Sequence, residues 1–155
     1  MILVSACLAG FDVKYNGSHN LNEKIKKWFD EKKAIPICPE VLGGLSIPRE
    51  PAEIVGGEGG DVLDGHAKVI TNNGIDVTEQ FIKGANETLK IALDLNATMV
   101  ILKERSPSCG SSMIYSGEFN GNKKRGTGVT AALLKRNGIQ VLSEENFMVL
   151  LNEME

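Results

Sequence analysis

Three cysteines, Cys7, Cys38 and Cys109, are the residues of this 155-residue chain best suited to chemistry. Cys7 runs into Leu8-Ala9-Gly10, Cys38 into Pro39-Glu40, and Cys109 closes Ser106-Pro107-Ser108 ahead of Gly110. Glycine and proline shape tight turns at such points, and the serines offer hydrogen bonds to a sulfur or an anion. A structural cysteine more often sits inside an apolar run. Three thiolates gathered in one place suit a soft metal: zinc, copper(I), or iron in a cluster. Structural zinc sites usually show paired CxxC spacing, which is absent here. A four-iron cluster that only transfers electrons takes four protein ligands. Three would leave one iron open, able to act as a Lewis acid on a substrate atom, with sulfur its natural partner. The two histidines, His19 and His66, lie in polar loops. Either is a candidate fourth ligand, a Cys–His nucleophilic pair stays open as well, and a solvated imidazole is the commoner outcome.

Around the cysteines, Glu40 follows Cys38 by two positions, where a carboxylate can shuttle protons or activate water. Ser106 and Ser108 either cap a turn around Pro107 or reach into the site. Arg49 either pairs with Glu50 or Glu53 or binds an anionic or carbonyl group of a ligand. The stretch Gly56-Gly57-Glu58-Gly59-Gly60 lacks the GK[ST] ending of a phosphate loop and is rejected as one. Residues 117–128, with Lys123, Lys124 and Arg125, make a better anion-binding loop ahead of a helix N-terminus. The preferred reading there is a mobile, solvated loop.

The elements that must position these residues follow from hydrophobic patterning. Met1–Ala6 is a short apolar run that fits a buried strand. Leu21, Ile25, Trp28 and Phe29 recur at helical spacing, predicting a helix near 21–33. Residues 34–37 read as a second strand, at an edge because of Pro36. Residues 39–66 read as a long irregular loop with a small hairpin around Glu53–Val55 and Ala67–Ile70. Thr78 is expected to cap a helix whose apolar face is Phe81, Ala85, Leu89, Ala92 and Leu93, with Gly84 marking a close contact. Residues 98–102 form the clearest buried strand. A helix near 129–137, a strand at 139–142 and a final helix near 144–152 complete the chain. This order describes one α/β domain over residues 1–155, a three-layer Rossmann-like arrangement with a mostly parallel sheet. Each cysteine then lies just beyond a strand. Ligand sites in open α/β sheets form outside the carboxyl ends of the strands, so three parallel neighbours would bring the three sulfurs to one rim.

Composition bounds the rest. Apolar residues at 42% and charged residues at 24% argue against disorder. A net charge of -3 supplies no basic field for a nucleic-acid duplex. The N-terminus has no positive flank, and its apolar run is too short for a signal peptide or a membrane span. A cytoplasmic protein with reduced thiols is the expectation.

Longer motifs carry a resemblance. Val4-Ser5-Ala6-Cys7-Leu8-Ala9-Gly10, Cys38-Pro39-Glu40, Pro48-Arg49 with Pro51-Ala52-Glu53-Ile54, Asp76-Val77-Thr78 with Phe81 and Gly84-Ala85, Ser106-Pro107-Ser108-Cys109-Gly110 and Gly126-Thr127-Gly128-Val129 run in order through nearly the whole chain. Together they resemble the 2-thiouracil desulfidase family. The resemblance implies an oxygen-sensitive 4Fe-4S cluster on Cys7, Cys38 and Cys109, with one iron free for the sulfur of a thiocarbonyl. It also implies catalytic assistance from Glu40 and Ser106, a small nucleobase-like thiolated substrate such as 2-thiouracil, and release of hydrogen sulfide. The alternative is a non-enzymatic metal or redox sensor, or a sulfur-trafficking protein, using the same three thiolates.

Overall fold

A computed structural model of the chain describes residues 2–149. Four short apolar runs form one parallel sheet: β1 (Ile2–Ser5), β2 (Ala34–Ile37), β5 (Met99–Leu102) and β8 (Gln140–Ser143), in the order β2-β1-β5-β8. Alternation along each strand sends successive side chains to opposite faces. Leu3, Val100 and Leu102 face one way and pack with Ala131 and Leu134 of helix α5 (Val129–Arg136) and Ala92 of helix α4 (Thr78–Asp94). Val4, Ile101 and Leu142 face the other way, onto Ile25, Trp28 and Phe29 of helix α1 (Glu23–Asp30) and onto Phe147. Helices on both faces of a parallel sheet give the expected three layers.

The edge placement of β2 holds, with Pro36 opposite Val4. Helix α1 is shorter than expected. Leu21 is exposed, and the Asn22 side chain accepts from the amides of Lys24 and Ile25, starting the helix at Glu23. Thr78 does not cap α4. The N-cap is Val77, Asp76 Oδ1 accepts from the Thr78 amide, and Thr78 Oγ1 accepts from Val69 N across the chain. Of the final helix expected near 144–152, residues 144–146 form a turn, 147–149 are helical, and the rest lies outside the described residues.

The stretch read as an irregular loop is more structured than its composition suggests. It contains helix α2 (Pro39–Leu42) and helix α3 (Gly59–Leu63) beside the expected hairpin, in which strand β3 (Ala52–Val55) pairs antiparallel with β4 (Lys68–Thr71). Asp61 accepts from the Glu58 amide in a capping box that starts α3. The loop reading of 117–128 is likewise corrected. Strand β7 (Lys123–Arg125) pairs antiparallel with β6 (Met113–Tyr115), and Lys124 Nζ donates to the Gly57 carbonyl at 2.9 Å. Ile54, Val62, Val69, Phe81 and Ile114 unite these pieces in a second core. Among the described residues no helix is long and apolar enough to cross a membrane.

Gly84 fulfils its expected role. A Cβ there would overlap the carbonyl of Pro39, and one on Gly43 would overlap the carbonyl of Gln80, so α2 and α4 meet backbone to backbone. Alanine at 84 gains up to about 1 kcal/mol of helix propensity. The clash is with a carbonyl that no rotamer change relieves, and overpacking of that kind costs roughly 1–3 kcal/mol. Gly84→Ala therefore lowers the thermal midpoint. A thermal melt of the variant against the parent checks this.

Candidate active site

The sheet changes direction of winding between β1 and β5. From β1 the chain crosses by α1 to β2 on one side, and from β5 by α5 to β8 on the other. Such a switch point opens a crevice at the carboxyl ends of the strands. There a cavity of ≈ 960 Å³ is lined by Cys7, Cys38, Cys109, Glu40, Arg49 and Ser106, among others. That volume is at the upper end for small-molecule sites and leaves room for an inorganic group beside a flat heterocycle.

Each cysteine reaches the cavity by its own local device. Cys7 sits in a 3-10 turn, Ala6–Ala9, that ends on Gly10 at φ 96, a left-handed conformation suited to glycine. Cys38 is the N-cap of α2, with Pro39 in the first turn. Cys109 lies in the turn 106–110, where Ser106 Oγ accepts from the amides of Ser108 and Cys109, both at 3.1 Å. Ser106 thus does cap the turn around Pro107. Its oxygen is occupied by two amides, and its own proton remains to be donated.

Helix α5 locks this turn from behind. Its first amides have no side-chain cap and donate instead to the cysteine loop: Gly128 to Gly110, Val129 to Pro107, Thr130 to Ser108. The N-terminus proposed for an anion is therefore already used. A Cβ on Gly128 would strike the backbone of Ser108, which gives the Gly126-Thr127-Gly128-Val129 motif its physical reason.

Burial pushes the Cys7 thiol up to about 11, against the hydrogen bond from Asn20 that favours its anion and with Glu40 adding to the rise. Burial and then Glu40 raise Cys38, and the same two causes hold Cys109 well above its ordinary value. Glu40 raises all three thiols, Cys38 adds to the rise of Cys7 and Cys109, and all four groups line the same cavity. Buried thiols so raised are poor nucleophiles at neutral pH, which weighs against the Cys–His pair. Both histidines are exposed and absent from the cavity lining. A cationic metal replaces the thiol protons and reverses this balance. Among the described residues no three His, Cys, Asp or Glu side chains are grouped to hold a metal ion. A donor set of three cysteine thiols suits a soft metal or an iron–sulfur cluster.

Arg49 pairs with neither Glu50 nor Glu53, the partners that one of its two sequence readings offered. Its Nη2 donates to Glu40 Oε2 at 2.8 Å, and its Nη1 donates to the Ser46 carbonyl. Both partners of the pair are largely buried. Tyr15, Phe81 and Tyr115 supply aromatic wall. Sequence reading also missed Asn20 beside Cys7, for which no motif gives a signal, and the buried carboxylate of Glu104 behind the Cys109 loop.

With this geometry established, comparison with known proteins is specific. A family model described as 2-thiouracil desulfurase matches residues 2–146. The uncharacterized protein YbbK of Bacillus subtilis (strain 168) is 61% identical over 144 residues, 93% of this chain and 95% of that protein. A solved structure, the 4Fe-4S-dependent thiouracil desulfidase TudS, superposes with a TM-score of 0.86 at 41% identity, covering 99% of this chain and 96% of that one.

Proposed function

The chain belongs to the 2-thiouracil desulfurase family, and we propose from that premise that it is a 4Fe-4S-dependent desulfidase in which Cys7, Cys38 and Cys109 hold the cluster and Glu40 and Ser106 serve the chemistry. One observation carries the assignment of residues: three thiols and one carboxylate face a single cavity at the ends of three adjacent parallel strands. The family and the solved relative favour this enzymatic reading over metal sensing or sulfur trafficking.

The overall reaction is hydrolytic. Water adds its oxygen to the thiocarbonyl carbon, the carbon–sulfur bond breaks, and an oxo product and hydrogen sulfide leave, with no change in electron count. A bound cluster with three protein ligands supplies a Lewis-acidic iron with an open position for thiocarbonyl sulfur. The chain's own residues do the rest. Arg49 holds Glu40 by Oε2, leaving Oε1 to take a proton from the attacking water. Ser106, its oxygen occupied by two amides, acts as a donor and steadies charge developing on the reacting group. Tyr15 and Tyr115 on the cavity wall offer aromatic surface to a flat heterocycle of the thiouracil kind. The substrate is a small thiolated, nucleobase-like compound. Three free thiols suit a reducing, cytoplasmic setting.

The test is sulfide release from 2-thiouracil by anaerobically reconstituted protein. Uracil and sulfide are expected in equal amounts without added reductant. Iron-loaded protein that releases no sulfide would overturn the reading. A strict need for an electron donor would overturn its hydrolytic form.

A further inference from the structure

Glu104 is 3% exposed and plays no part in the chemistry just described. Its side chain is nonetheless the most heavily hydrogen-bonded acceptor around the site. Oε1 accepts from the amides of Ser111 at 2.8 Å, Ser112 and Met113 at 3.1 Å, and Arg105 at 3.3 Å. Oε2 accepts from the hydroxyls of Ser111 at 2.7 Å and Ser112 at 3.2 Å. Six donors on one carboxylate draw residues 105 and 111–113 onto a single point, and the segment between them, which includes Cys109, is closed into a loop. Hydrogen bonds to a buried anion are the strong ones, and leaving their donors unpaired is costly.

The neighbouring backbone supports the same conclusion. Arg105 stands at φ 70, a left-handed conformation that a non-glycine residue keeps only where its surroundings over-determine it. Its guanidinium is tied to Glu145 at 2.6 Å, and the Glu104 amide donates to Glu144 at 2.8 Å. Lys135 of α5 donates to the Ser111 carbonyl at 2.5 Å. The loop is thus anchored at both ends by the protein's own groups. Burial by itself would raise the Glu104 carboxyl. The hydrogen bonds from Ser111, Ser112, Met113 and Arg105 override it and hold the group at about 2, so it is an anion at any working pH.

We infer that Glu104 is a positioning residue: an internal anion that folds the Cys109 loop before any cluster arrives and so presents the third thiolate in place. This rests on the reading of Cys109 as a cluster ligand. Pre-organisation of this kind governs how firmly a metal group is kept, because a ligand on a loose loop is readily lost from it.

Two measurements on Glu104→Gln test the inference. The first is hydrogen exchange on the metal-free chain. The amides of Ser111, Ser112 and Met113 are expected to lose protection by about 10-fold or more, while Ala85 and Ala92 of α4 exchange as in the parent. The second is the rate at which reconstituted protein yields iron to a ferrous chelator, well below the melting transition. About a 10-fold acceleration is expected. Ile139→Val, a substitution in the core at the amino ends of the strands, opposite the cysteine rim, serves as a control that lowers stability without touching the loop or its anchors, and it should release iron at the parental rate. Parental exchange or parental iron release in Glu104→Gln would overturn the inference, as would equal acceleration in Ile139→Val. Should Glu104→Gln fail to fold, Ser111→Ala removes one donor to the same carboxylate. It should shift both readouts in the same direction, and unchanged readouts would again overturn the inference. Parent protein that takes up no iron would sink the cluster assignment instead, and the exchange measurement would still decide the role of Glu104 in the loop.

Discussion

Cys38→Ser, prepared and reconstituted without oxygen, is expected to fold at least as well as the parent yet to fall from about four irons per chain to near none, with desulfurisation below detection. The argument rests on where Cys38 sits. It is the N-cap of α2, in extended conformation, and makes no side-chain capping hydrogen bond. Serine is among the preferred N-cap residues, because its oxygen accepts from the amides two or three positions on. The substitution therefore supplies a cap where the thiol made none, and loss of iron cannot be blamed on a damaged helix. Losing one of three ligands removes a third of the protein's hold on the cluster. Hydroxyl is a hard, neutral donor, ill suited to replace a soft thiolate. Cys7→Ser and Cys109→Ser should lose iron in the same way. Iron analysis, visible absorption of the reconstituted proteins and a thermal melt of the metal-free forms check the set. A Cys38→Ser protein that retains a full complement of iron would remove Cys38 from the ligand set.

Some of this was legible in the chain before its structure. The runs before Cys7 and Cys38 and the run 98–102 are apolar and end in turn residues, so their strand character and the sulfurs beyond their ends could be read directly. Their adjacency in the sheet was an inference from a rule about parallel strands, and the order β2-β1-β5 agrees with it. Other parts left no readable trace. Helices α2 and α3 span four and five residues, too short to establish a 3.6-residue period, and α3 begins on glycines that ordinarily signal a loop. Strand β7 is Lys-Lys-Arg, with no apolar alternation, and is fixed by its partner β6. Thr78 carried the right residue type for a cap, but its hydroxyl is engaged by Val69 from another element. The site shows the same division. Residue types marked Cys7, Cys38, Cys109, Glu40 and Ser106 as candidates. The Glu40–Arg49 pair and the Glu104 node depend on which groups the folded chain brings together, and most donors to Glu104 are backbone amides that no side-chain motif announces.

Glu40→Gln separates chemistry from cluster binding most sharply. Glutamine matches the size of glutamate, and its carbonyl oxygen can still accept from Arg49 Nη2, which now meets Glu40 Oε2 at 2.8 Å. The side chain should therefore stay in place, and α2, with Cys38 at its cap, should keep its geometry. What the amide cannot do is take a proton from water at neutral pH. Removing a general acid–base group typically costs 10²–10⁴-fold, so turnover on 2-thiouracil should fall by about 10²-fold or more. Iron content is expected to stay at the parental level. Glu40 raises all three cysteine thiols, so its neutralisation should if anything ease their ionisation and favour cluster assembly. The two measurements thus move independently: activity falls while iron holds or rises. Near-parental activity would reduce Glu40 to a structural partner of Arg49 and leave the proposed hydrolysis without its base. Loss of iron together with activity would assign Glu40 to building the site, and the proton would have to be taken by another group facing the same cavity.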